Sequence, residues 1–198
     1  MTILGHASER AIVASVACLV SFSIGLAGAS ATRVENRVEN PSRASPAEIG
    51  QPYPALEADA IDGTLVNDAR LAGRPFIVDF FATWCHPCHA ALADLIAARN
   101  ATTPTGLGIQ FILVDLGESP DVVRRWARTA LSSGSLPSDA IVALDPKGVA
   151  ARRWGTRRLP TTYFVNADGI VRHINRGWGP GYRNRVSRWL RDLAPPKP

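Results

Sequence analysis

At 198 residues the chain suits one domain with extensions at its ends. Its 46% hydrophobic and 20% charged residues suit an ordinary globular core. The net charge of +5 comes almost wholly from arginines, which are scattered rather than gathered into a basic stripe interleaved with aromatics. No nucleic-acid partner is therefore expected.

In chain order, the first feature is a stretch without charge between Arg10 and Arg33, "AIVASVACLVSFSIGLAGASA". It reads as an export signal over residues 1–31, or as an uncleaved anchor over 11–31 that engages the membrane. Small residues in "GLAGASA" offer a cleavage site after Ala29 or Ala31, and this favours the cleaved signal. Cys18 lies inside the apolar run, with Ser15 where a lipobox has Leu, so it reads as a small hydrophobe. Either way the folded part is expected outside the cytoplasm, in the periplasm or on the outer face of the inner membrane, where disulfide exchange is possible. Residues 32–50, with two "RVEN" units and two prolines, suggest a flexible linker. A domain over 51–194 and a tail over 195–198 follow.

Within the domain, "LEADAIDGTLV" alternates about Asp62-Gly63 and predicts a β-hairpin, followed by a short helical turn in "NDARLAGRP". "FIVDFFAT" (76–83) is a continuous apolar run with one acid, as a buried central strand requires. "HPCHAALADLIAAR" (86–99) predicts a helix with Pro87 in its first turn, and "GIQFILVDL" (108–116) a second buried strand. A helix capped by Ser119 and opened by Pro120 comes next, then a short strand "AIVAL". "DPKGVAARRWG" repeats the Asp-cap and Pro-start device and closes on Gly155. A hairpin over 161–174 turning at Asp168-Gly169 and an amphipathic helix over 180–193 complete the chain. Strands alternating with helices and ending in a hairpin predict an α/β domain with a mixed central sheet flanked by helices.

The chemistry gathers at "WCHPCH". Three cysteines cannot make a multi-bridge scaffold, so Cys85 and Cys88 form a candidate redox disulfide rather than a staple. Cys85 falls where a buried strand ends and a helix begins. Its sulfur there faces unpaired N–H groups and the positive end of the helix dipole, which favour the thiolate. Cys85 is thus the expected nucleophile, and Cys88, one turn deeper and shielded, the resolving thiol. His86 adds a candidate charge that tunes the thiolate, and His89 follows Cys88. Asp79 stands six positions before Cys85, on the same strand face as Phe81 and Thr83. Buried there, it would have a raised pKa and could shuttle the proton of Cys88, or else sit at a sheet edge on a backbone bond. This chemistry needs neither cofactor nor metal.

The same letters also fit C-x-x-C-H haem attachment, with His89 as axial ligand. Met1 lies ahead of the leader, so only His173 remains as a second ligand. Cu(I) capture by the dithiol is a third reading, whereas a single C-x-x-C lacks the second ligand pair of a structural zinc site. Trp126, Trp154 and Trp189 read as packing aromatics. Trp178 borders either the active-site groove or a packed loop, and Arg152, Arg153, Arg157 and Arg158 form either a solvated face or one that favours acidic partners.

"PFIVDFFATWCHPCH" and, later, "LDPKGVAARRWGTRRLPTTYFVNADGIV" resemble the two signatures of the thioredoxin superfamily, in its exported TlpA/ResA/DsbE-like thiol–disulfide branch. The resemblance spans residues 50–194. It implies a thioredoxin-like fold with an insertion before the cis-proline loop, a cis Pro160, a Leu159 main chain that bonds substrate, and Trp84 roofing the disulfide. It further implies a reductase of cysteine-containing exported proteins, fed electrons by a membrane thiol-relay protein. Branch members devoted to cytochrome c maturation often carry Glu-x-Pro where this chain has Ala91 and Ala93, and Asn where it has Asp79. A cytochrome c maturation reductase and a disulfide-forming oxidant therefore both stay open.

Overall fold

The computed structural model describes residues 45–102 and 108–193. The leader 1–31, the linker as far as residue 44 and the tail 195–198 lie outside them. Among the described residues no helix is long and apolar enough to cross a membrane.

The fold grows from β3 (Phe76–Phe81), every residue of which is at most 1% exposed. It pairs in parallel with β4 (Gln110–Leu116) and antiparallel with β6 (Thr161–Val165), so its apolar run is covered on both edges. β5 (Ile141–Asp145) lies parallel on the far side of β4. The predicted N-terminal hairpin, β1 (Ala58–Ala60) and β2 (Leu65–Val66), adds antiparallel to β5. In its turn the Asp62 carboxylate accepts from Thr64 N–H at 2.9 Å and from its hydroxyl at 2.7 Å. β7 (Val171–Arg176) closes the other edge through the Asp168-Gly169 turn, giving the order β2-β1-β5-β4-β3-β6-β7. This is the mixed α/β sheet with flanking helices that the alternation of elements predicts.

Side-chain alternation along β3 sorts the core into two layers. Phe76, Val78 and Phe80 pack with Trp154 of α4 (Val149–Trp154) and with Tyr53 and Leu56 from the chain's entry. Ile77 and Phe81 face the opposite side. There lie α2 (His86–Thr102), α3 (Pro120–Ser132) and α5 (Tyr182–Leu193), while α1 (Asp68–Leu71) is the short turn capped by Asn67. The expected packing aromatics fit these layers. Trp154 sits 5.0 Å from the Tyr163 ring, Trp126 4.7 Å from Phe81, and Trp189 stacks on His173 at 4.8 Å.

Three local expectations change. Ser119 holds the N-cap position of α3 but its side chain makes no capping bond, leaving Pro120 to start the helix. α4 does not start on Pro146: it begins at Val149, after Gly148 in the left-handed region at φ 64°. Asp145 nonetheless caps it from the end of β5, accepting from Val149 N–H at 2.7 Å and Ala151 N–H at 2.8 Å. Asp145→Ala is expected to cost about 1–2 kcal/mol, read as a Tm lowered by roughly 2–8 °C in thermal unfolding. Finally, residues 45–50, expected in the linker, pack on the domain. Ala47 is buried and its N–H reaches Trp154 O, and Gly50 N–H donates to Val171 O at 2.8 Å. The folded region therefore begins before Gln51.

Candidate active site

Three residues, Ala82–Trp84, join β3 to Cys85, which directly precedes α2. Cys85 N–H donates to Ala82 O at 3.0 Å. The Cys85 carbonyl accepts from Cys88 N–H at 2.9 Å and His89 N–H at 3.3 Å. Cys85 thus stands at the mouth of a 17-residue helix, where dipole and free N–H groups lower the pKa of a thiol. Cys85 and Cys88 form a disulfide with Cα atoms 5.3 Å apart. Cys85 is 5% exposed and Cys88 1%, so the first thiol is the more open of the two.

A groove of about 670 Å³ opens beside this disulfide, lined by Trp84, Cys85, Pro87, Leu116, Arg158 and Leu159 among others. The topology explains the meeting of residues so distant in sequence. Because β6 runs antiparallel to β3, its first residue, Thr161, pairs with Phe80 and brings Leu159 and Pro160 to the end of β3. The Leu159–Pro160 peptide is cis. Trp84 stands out from the surface at 67% exposed.

Asp79 is not at a sheet edge. It is 1% exposed on the central strand, between Ile77, which packs with Ala91 and Leu95 of α2, and Phe81, which packs with Cys88 and Leu92. Its Oδ1 accepts from the Thr162 hydroxyl at 2.7 Å, and that hydroxyl lies 3.3 Å from Tyr182 OH. Its Oδ2 is buried with no partner among the described residues. Burial pushes the pKa up to about 7 against the one bond that lowers it. The Tyr182 phenol is raised too, by burial and then by the Asp79 charge.

The histidines divide. His86 is exposed and lines the groove beside Cys85. His89 turns away from it, its ring stacked on Trp126 at 6.2 Å. His173, the only candidate second haem ligand, is committed on β7 to Asp192 at 3.0 Å and to the face of Trp189. Both sulfurs needed for haem attachment are bonded to each other. Trp178 is exposed, its indole N–H donating to Asp94 at 3.0 Å. Arg157 and Arg158 give the groove a positive rim. Among the described residues no three His, Cys, Asp or Glu side chains gather as metal ligands.

Sequence reasoning missed Thr162 and Tyr182 around Asp79, and a second acidic pair, Asp115 and Glu118, beside Thr83. The contacts to Asp79 and to Thr83 join segments distant in sequence, for which no local pattern exists.

A dithiol at a helix mouth, just after the central strand of a mixed sheet, with a cis-proline loop alongside, defines a thiol–disulfide oxidoreductase of thioredoxin-like fold. The chain belongs to the AhpC/TSA family, whose model matches residues 49–174. It is 30% identical over 109 residues to the thiol:disulfide interchange protein CycY of Rhizobium leguminosarum bv. viciae, a match covering 54% of this chain and about half, 52%, of that protein. It is 25% identical over 182 residues to the thiol:disulfide interchange protein DsbE of Vibrio cholerae, covering 89% of each. The crystal structure of a thiol:disulfide interchange protein of the thioredoxin family from Chlorobium tepidum superposes with a TM-score of 0.57 at 23% identity, over 77% of this chain and 99% of that one.

Proposed function

We propose that this chain is an exported, extracytoplasmic reductase of protein disulfides, acting through Cys85 and Cys88. The observation that carries the reading is the pairing of a groove-lining cysteine at the mouth of α2 with a buried acid under the same helix. The Cys85 thiolate attacks one sulfur of the substrate disulfide, and the other sulfur leaves as a thiolate. Cys88 loses its proton to Asp79 and attacks Cys85 Sγ, releasing the substrate as a dithiol. Two electrons have then passed to the substrate, and the Cys85–Cys88 disulfide has formed. Trp84 and the Leu159 main chain hold the substrate strand over the groove beside Pro160. A membrane thiol-relay protein returns the two electrons.

Asp79 also supports the reducing direction. Its charge disfavours a thiolate nearby, which stabilises the disulfide relative to the dithiol and makes the reduced form a better donor. His86 pulls the opposite way when protonated. The substrates are cysteine-containing exported proteins.

The test has two arms. Cys88→Ser expressed with its leader should accumulate mixed disulfides with exported partners, which identifies them. The reduction potential of the purified pair should fall near ~−270 mV; a value near ~−120 mV would make the protein an oxidant and overturn the direction. A haem-stained band for the exported chain would overturn the thiol chemistry itself.

A further inference from the structure

Thr83 is the middle residue of the link from β3 to Cys85. Its main-chain N–H and its hydroxyl both donate to one carboxylate, that of Glu118, with Oγ1 2.7 Å from Oε1. Glu118 is held in turn, its N–H donating to Asp115 Oδ1 at 3.1 Å. Asp115 pairs with Phe81 in the β3–β4 ladder and is 1% exposed, and its Oδ2 has no partner among the described residues. Leu116, between these two acids, lines the same groove as Cys85.

The fold alone does not demand this arrangement, because β3 and β4 are already registered by their own ladder. A buried acid with an unsatisfied oxygen destabilises, so its presence calls for a reason. Charge-assisted bonds are about twice as strong as neutral ones, and two of them on one residue fix its orientation. We propose that Glu118, backed by Asp115, is the positioning residue of the active-site loop: it fixes Thr83 and thereby sets how Trp84 and Cys85 face the groove. The electrostatics agree with this hydrogen-bond geometry. Burial and the neighbouring Glu118 and Asp145 push Asp115 up to about 7. Burial pushes Glu118 up as well, but hydrogen bonds, those from Thr83 foremost, outweigh it and leave Glu118 below the ordinary range. The negative charge therefore rests on the oxygens to which Thr83 donates. Glu118 bonds to neither cysteine and acts through Thr83.

This inference rests on the disulfide exchange proposed above. The experiment compares the full chain with Glu118→Ala, Glu118→Gln, Thr83→Val and the Glu118→Ala/Thr83→Val double variant. Each is checked for folding by circular dichroism and then timed in reduction of a disulfide-bonded reporter protein. Glu118→Ala should slow exchange by ~10- to 100-fold. Glu118→Gln should stay within about threefold of the parent, because an amide can accept the Thr83 N–H and donate to its hydroxyl. The double variant should be no slower than Glu118→Ala, the mark of one shared interaction. Wild-type rates in Glu118→Ala, or a Gln variant as slow as the Ala variant, would overturn the positioning role. Should Glu118→Ala fail to fold, Thr83→Val deletes the hydroxyl bond and keeps the main-chain one; it should slow exchange by a smaller factor than that expected of Glu118→Ala, and a wild-type rate there overturns the positioning role. An inactive parent chain would instead reject the exchange reading, and this inference with it.

Discussion

Cys85→Ala is expected to reduce disulfide exchange to the uncatalysed rate, while Cys88→Ala keeps the first attack and loses the release step. The difference follows from position. Cys85 alone stands at the mouth of α2 and lines the groove, whereas Cys88 is 1% exposed and packs with Phe81 and Leu92. A thiol at a helix mouth is shifted from about 8.5 toward roughly 3.5–7.5, so a useful fraction is thiolate at neutral pH. A buried thiol one turn deeper gains less from the helix end. Reduction of a reporter disulfide, followed by gel shift of the covalent intermediate, separates the two variants. Undiminished exchange by Cys85→Ala would refute the mechanism.

Asp79→Asn is expected to remove much of the pH dependence of stability between about pH 4 and 7. The folded-state pKa is raised to about 7 from an ordinary 3.8, so the native state binds the proton more tightly than the unfolded chain does. Stability is then fully present below about pH 4, falls as pH rises through 7, and is flat above. The loss attributable to Asp79 is at most about 4 kcal/mol at 1.36 kcal/mol per pKa unit. The amide resembles the protonated acid, so the two proteins should unfold alike at pH 4 and the variant should be the more stable at pH 8. Asp115, raised in the same direction, keeps the remaining slope in both. Urea denaturation at pH 4, 6 and 8 checks this. Equal losses in both proteins would show that Asp79 is not the titrating group. In exchange assays the same variant should accumulate the mixed disulfide, since Cys88 loses its proton acceptor.

The elements were legible where a residue's role is local. Asp62-Gly63 and Asp168-Gly169 mark their turns by conformation alone, and the unbroken "FIVDFF" marks a strand buried on both faces. The dithiol was legible because strand, cysteine and helix follow one another directly. What escaped depends on pairing between distant segments. Glu118 meets Thr83 across 35 residues, and Thr162 reaches Asp79 across 83. Nothing in the neighbourhood of Glu118 distinguishes it from a solvated acid at a helix start. Asp145 was recognised as a cap, but the helix it serves begins three residues later, because Gly148 gives the chain a left-handed turn first. Ala47 is a small apolar residue in a polar stretch, too weak a signal to predict that the segment packs.

The placement of β3 bears on how this molecule breathes. β3 is bonded along its whole length to β4 and from Phe76 to Phe80 to β6, while the edge strand β2 of the hairpin pairs with β1 through Ala58–Val66 and Asp59–Leu65 and has no strand on its other side. Local opening free energies in a native protein run from near zero at such edges up to the global value at the centre. The slowest amide hydrogen exchange should therefore fall in β3, and the fastest in the hairpin. The reactive sulfurs follow, after a three-residue link, the last part of the sheet to open. Fraying at the edges can come and go while the dithiol keeps its geometry.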